Sequence, residues 1–113
     1  MAAVANLRID QGTTFTSDVT VTDNSGTVFD LSGYTAQAKM ALGYSSTRTR
    51  VTITTAISNP ATGVVTLSLT ADQTSDLEAP ARYVYDVEIT RTSDSTITRV
   101  IEGIITVHPQ VTT

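Results

Sequence analysis

The sequence has no cysteine, no tryptophan and a single histidine, and it has no long uninterrupted apolar run. Each absence closes a class of function. Without Cys there are no disulfides and no thiolate metal sites, so stability rests on packing, either within the chain or between copies. With one His, a zinc site would fall almost wholly to carboxylates, and the many Ser and Thr hydroxyls have one conventional base among them. That residue, His108, precedes Pro109 near the C-terminus and reads as a structural or surface side chain. The roughly 20 apolar residues needed to cross a bilayer as a helix do not occur. Residues 1–6 show no charged region followed by an apolar run, so a soluble chain without an export signal is expected. The six glycines are isolated, and none opens a strand-to-helix phosphate loop. Seven Lys and Arg against 11 Asp and Glu, most of the bases far apart, do not make the stripe that neutralises nucleic-acid phosphates.

What is present favours strands. Thr is about one residue in five, and the aliphatics are mostly Val and Ile, β-branched types that suit a pleated, half-buried surface. A chain of 113 residues holds one core and no second domain, so residues 1–113 read as a single all-β domain. The stretch Leu77–Ile89 organises it. Leu77, Pro80 and Tyr83 are spaced as a structural corner in which the tyrosine folds back over the turn to hydrogen-bond its backbone. Tyr83, Tyr85, Val87 and Ile89 then alternate with Val84, Asp86, Glu88 and Thr90 at the period of a strand with one core face. Such a strand must pack on a second layer.

Taken in order, Leu7 and Ile9 form a brief strand ended by Asp10-Gln11-Gly12. From Thr13 to Thr22, Phe15, Val19 and Val21 share a face, with Ser17 a polar gap at the same parity. Asp23-Asn24-Ser25-Gly26 predicts a hairpin turn returning at Val28-Phe29. Tyr34, Ala36, Ala38 and Met40 line one side of the next strand, and 43–50, without apolar periodicity, reads as an exposed loop or an edge segment. Val51 and Ile53 open a strand, Pro60 and Gly63 mark a turn, and Val65, Leu67 and Leu69 line another inward face. Thr70 and Gln73 fit a capping box, so one short helical turn is predicted near 71–78, ended by Pro80. A hairpin loop at 92–95 leads into a last strand over 96–107, placing Glu88 opposite Arg99. The sum is an immunoglobulin-like antiparallel β-sandwich of seven to nine short strands, with residues 1–6 and 108–113 as arms that a partner would order.

Candidate chemistry is sparse. Asp86 and Glu88, roughly 7 Å apart on one strand face, have the spacing of a glycosidase pair, but the aromatic-lined cleft has no residues to build it, so they read as a solvated or paired face. Asp72, Asp76 and Glu78 lack the carbonyl-rich loop of a calcium site, and a helix N-terminus accounts for Asp72. No catalytic, cofactor or metal residues are assigned. Tyr44, Arg48 and Arg50 form the one exposed-looking aromatic and basic cluster and are the candidate contact loop.

The order and spacing of five segments, 9–15, 29–36, 63–70, 82–89 and 99–107, resembles small immunoglobulin-like virion structural proteins of tailed bacteriophages, including phages of cyanobacteria. The resemblance covers nearly the whole chain and implies a non-enzymatic part of the particle. Its partners would be other virion proteins, the major capsid protein or tail and neck proteins, with homo-oligomers also in view and neither nucleic acid nor membrane. A capsid decoration or cement protein on the head is the first expectation, because a stand-alone domain without a stalk suits a small add-on in many copies. A neck, tail or baseplate component comes next. A carbohydrate-binding module for the host surface comes third and would need exposed aromatics, for which Tyr34, Tyr44 and Tyr83 are the candidates.

Overall fold

The computed structural model describes residues 3–23, 25–45 and 49–112. Its strands are β1 (Ala3–Val4), β2 (Leu7–Asp10), β3 (Phe15–Thr20), β4 (Tyr34–Ala41), β5 (Val51–Asn59), β6 (Val64–Leu69), β7 (Ala81–Arg91) and β8 (Ile97–His108). One helical turn, α1 (Ala71–Ser75), lies between β6 and β7, and a 3-10 turn spans Pro60–Thr62. The architecture is all-β and sandwich-like, as the periodicity predicts. The strands form one mixed sheet in the order β1-β8-β7-β4-β5-β6-β3, with β2 also on β8.

The sheet folds over at β5. Its first residues pair with β4 (Met40 with Val51, Ala38 with Ile53), whereas Thr54, Thr55 and Ala56 pair with β6. Where β5 leaves β4, the Thr55 hydroxyl donates to the Ala36 carbonyl at 2.9 Å and so occupies an acceptor that the ladder abandons. The two halves close on a single core. Phe15, Val19, Val65, Leu67 and Leu69 meet Met40, Ile53, Tyr83, Tyr85, Val87, Ile89, Ile101 and Ile105, all buried.

Two departures from the expected sandwich share a cause. β1 and β2 run parallel to β8 rather than antiparallel, since nearly the whole chain intervenes and no hairpin sets their direction. Residues 3–6, expected to wait for a partner, are therefore seated in the sheet of their own chain. The Ala5 N–H donates to the Glu102 carbonyl at 2.9 Å, and Asn6 Oδ1 accepts from the Ile104 N–H at 3.0 Å. At the other end His108 completes β8 opposite Asp10, and the Gln110 N–H donates to Gln11 Oε1 at 3.2 Å. Val111 beyond it is 96% exposed.

Gly103 makes the N-terminal strap possible. It stands opposite Tyr85 in the β7–β8 ladder, and a Cβ there would come within 2.2 Å of the Ala5 carbonyl oxygen. With no side chain at this position, the Tyr85 hydroxyl reaches across β8 and donates to that same carbonyl. Burial pushes the Tyr85 phenol up to about 12, because the phenolate would lose its hydration.

Local signals resolve as capped turns. Thr70 and Gln73 form both bonds of the capping box, at 3.2 and 2.8 Å. The helix stops at Ser75, short of the predicted 78, because the Leu77–Tyr83 corner begins at once. There the Glu78 N–H donates to the Tyr83 hydroxyl at 2.8 Å, with Leu77 buried beneath and the Ala79–Pro80 peptide cis. Thr74, fully buried, accepts from the Gly12 N–H at 3.0 Å and donates to the Thr13 carbonyl at 2.8 Å, tying the helix to the β2–β3 turn. Asp23 closes the 23–27 turn, its carboxyl held below the usual range first by the Ser25 hydroxyl and then by the Thr27 N–H. The predicted return at Val28-Phe29 shrinks to one bridge, Thr22 to Val28.

Candidate functional site

Of the predicted contact loop, Gly43, Tyr44 and Arg50 lie beside Lys39 of β4 and Val84 and Asp86 of β7. Tyr44 is 67% exposed there. Arg50 is exposed, yet its guanidinium is engaged within the loop: it donates to the carbonyls of Ser45 (2.9 Å), Tyr44 (3.1 Å) and, at 3.4 Å, Gly43. Five donors in a rigid fork suit an arginine to gathering converging carbonyls, so Arg50 holds the loop that presents Tyr44. Arg48, the third residue of the predicted cluster, lies outside the described residues.

Beside the loop, the outward positions of β4, β7 and β8 form rows of polar side chains. Lys39, Asp86 and Glu102 stand in one row, and Gln37, Glu88 and Arg99 in the next. The predicted Glu88–Arg99 register is present, but the ion pair is not between those two. Val100 is an extra residue in β8, and the ladder shifts there. Arg99 reaches diagonally to Asp86 at 3.2 Å and to Glu102 at 3.6 Å, bridging two carboxylates that face each other across the ladder. Glu88 instead accepts from Gln37 Nε2 at 3.1 Å. The Asp86–Glu88 pair is thus held by an arginine and an amide on an open sheet face. A recess of about 240 Å³ lies between Gln37, Lys39, Arg50, Asp86 and Glu88, and a smaller one adjoins Tyr44 and Val84.

The other tyrosines are committed elsewhere. Tyr83, a candidate for sugar stacking, is 5% exposed and works in the corner. Tyr34 is half-buried, packs edge-on against Phe29 at 5.4 Å between centroids, and lies under the Arg91 guanidinium, which donates to its hydroxyl at 3.2 Å. Of the aromatics proposed for ligand stacking, Tyr44 is the one that is mostly exposed. Asp72, Asp76 and Glu78 do not converge: among the described residues no three His, Asp or Glu side chains come together as metal ligands.

The folded-over half, β5-β6-β3, carries a different outer face. Thr16, Ser68 and Thr54 make one cross-strand row, and Asp18, Thr66 and Ala56 the next. Asp18 accepts from the Thr66 hydroxyl at 2.7 Å. Short, mostly β-branched side chains with little rotamer freedom lose little on being covered. The surface residues that matter here, Thr16, Thr54, Thr66 and Ser68, were legible as outward positions, but nothing in their identity marked them as one face. That face forms only because β5 joins β6 as well as β4.

No family model matches the chain, and no curated protein matches it in sequence.

Proposed function

We propose that this protein is a non-enzymatic structural component of a bacteriophage virion, a small sandwich-like module docked on a larger assembly, with decoration or cementing of the head as the first placement. The observation that carries this reading is the hydroxyl-rich outer face of β5-β6-β3, on which Asp18 is the one charge among the described residues of the two cross-strand rows and is already hydrogen-bonded. Such a face loses little side-chain entropy and strips little charge on contact, which suits repeated surface-to-surface packing. The segments behind the resemblance fall in these elements: 82–89 and 99–107 lie in the long strands of the core, and 63–70 contains β6, the middle strand of the hydroxyl face. Neck, tail or baseplate attachment uses the same surfaces.

Antibody labelling of intact particles in the electron microscope tests the reading. Even label over the head supports a decoration protein, label confined to the tail or neck makes it an adaptor or baseplate part, and unlabelled particles reject the virion assignment. The second reading, a module that binds host glycans, is favoured by Tyr44 standing exposed beside the recess lined by Lys39, Arg50 and Asp86. Glycan binding that disappears in Tyr44→Ala while the fold persists would move the assignment to that reading.

A further inference from the structure

The two ends of the sheet are finished differently. On β8, two short parallel strands and a side-chain bond from Asn6 cover the edge. At the other end β3 pairs with β6 alone, and no described residue bonds the outer side of its six-residue backbone. Natural edges of this length are blunted by Pro, Lys, a bulge or a cover. β3 (Phe-Thr-Ser-Asp-Val-Thr) contains neither Pro nor Lys, and its pairing with β6 runs without a register shift.

The direction of its free groups follows from one bond. Val21, in the same register as β3, donates its N–H to the Gly63 carbonyl at 2.7 Å, so its polar backbone faces β6. Alternate residues share a side, so Phe15, Ser17 and Val19 also face β6, while Thr16, Asp18 and Thr20 present N–H and C=O outward.

We propose that this edge pairs with the β3 edge of a second copy, antiparallel across a two-fold axis at Ser17. In that register Thr16 of each copy lies opposite Asp18 of the other, both with outward N–H and C=O groups, so each of the two symmetric pairs exchanges two backbone bonds. The Thr16 hydroxyl faces the opposing Asp18 carboxylate on the outer face, and Phe15 faces Val19 on the core side. Centring on Asp18 instead would set two carboxylates directly opposite, which is unfavourable. The Ser17 register also explains the polar gap in an otherwise apolar inward face: two half-buried serines meet at the axis and can hydrogen-bond each other. The contact is isologous and closes, so it makes dimers rather than fibres. The two hydroxyl faces become one six-stranded surface. The dimer stands or falls independently of the virion assignment.

Sedimentation equilibrium on the full chain over a concentration series tests the pairing, with circular dichroism to follow the fold. The expected result is a reversible monomer–dimer equilibrium for the wild type. Thr16→Asp places like charges opposite each other twice per dimer and should raise Kd about two- to thirtyfold, while Thr16→Lys faces Asp18 and should lower it by a similar factor. Thr16 is exposed, so both substitutions leave the monomer folded. A chain that stays monomeric up to its solubility limit overturns the proposal, as does a dimer whose Kd ignores both substitutions or moves the same way with each.

Discussion

The half built from β4, β7 and β8 and the half built from β5, β6 and β3 share one core but meet solvent in opposite ways. The first has the long strands, with 11 and 12 residues in β7 and β8, a strapped edge and an outer face of interlocked charges. The second has six-residue strands in β3 and β6, an open edge and an outer face of hydroxyls. An ion-paired face is self-satisfied and strongly hydrated, so covering it means stripping charges that already have partners. A hydroxyl face beside unpaired backbone has unused hydrogen-bonding capacity and little to lose. One side of the molecule has its outer charges paired and its edge strapped, and the other leaves an edge that no described residue covers.

The largest effect should come from uncoupling the halves at their junction. Thr74→Val removes the hydroxyl that serves the Gly12 N–H and the Thr13 carbonyl, and each group left without a partner should lower stability by about 1–3 kcal/mol. Urea unfolding followed by circular dichroism measures it; a loss within 0.5 kcal/mol, as for an ordinary surface change, would remove Thr74 from the junction. Next comes the strap. Gly103→Ala should destabilise the chain by about 1–3 kcal/mol through overpacking against Ala5 and should free the amides of residues 5 and 104 to exchange. Hydrogen exchange that stays slow at both positions would contradict the strap's dependence on this glycine.

The alkaline limb of stability tests the same anchor. A phenol near 10 in the unfolded chain and pushed up to about 12 in the fold favours the folded state while it is protonated. That contribution is full below pH 10 and is lost as pH rises toward 12. Thermal melts of the wild type should therefore fall across that window, and Tyr85→Phe should flatten the decline; an equally steep decline in the variant would assign it to other groups. The smallest effect contrasts the two outer faces. Arg99→Met should lower stability by about 0.2–1 kcal/mol at low salt, with the difference shrinking as salt is added, whereas Thr66→Val should change by less than about 0.5 kcal/mol with no salt dependence. Equal salt responses would erase the distinction between the faces.

Much of the fold was readable where a residue's role depends on near neighbours. The Thr70–Gln73 capping box, the Leu77–Tyr83 corner, the inward faces of β6 and β7 and the Glu88–Arg99 register all rest on contacts set by turn chemistry or period-two alternation. The site was readable in part: Tyr44 and Arg50 do meet in one loop, but Arg50 is spent on carbonyls. Gly103 carried a usable signal, since a glycine inside an alternating strand marks close approach by another backbone. Asn6 and Thr74 carried none, because their partners lie 98 and 61–62 residues away.

Composition and alternation were enough to make this chain all-β with these core residues, because burial of β-branched and aromatic side chains is decided strand by strand. Which strands become neighbours is decided between strands, by closure of the whole chain. The parallel strap on β8, the fold-over at β5 and the open edge of β3 follow from that closure, since the groups that pair in each case are far apart in sequence and meet only when the core forms.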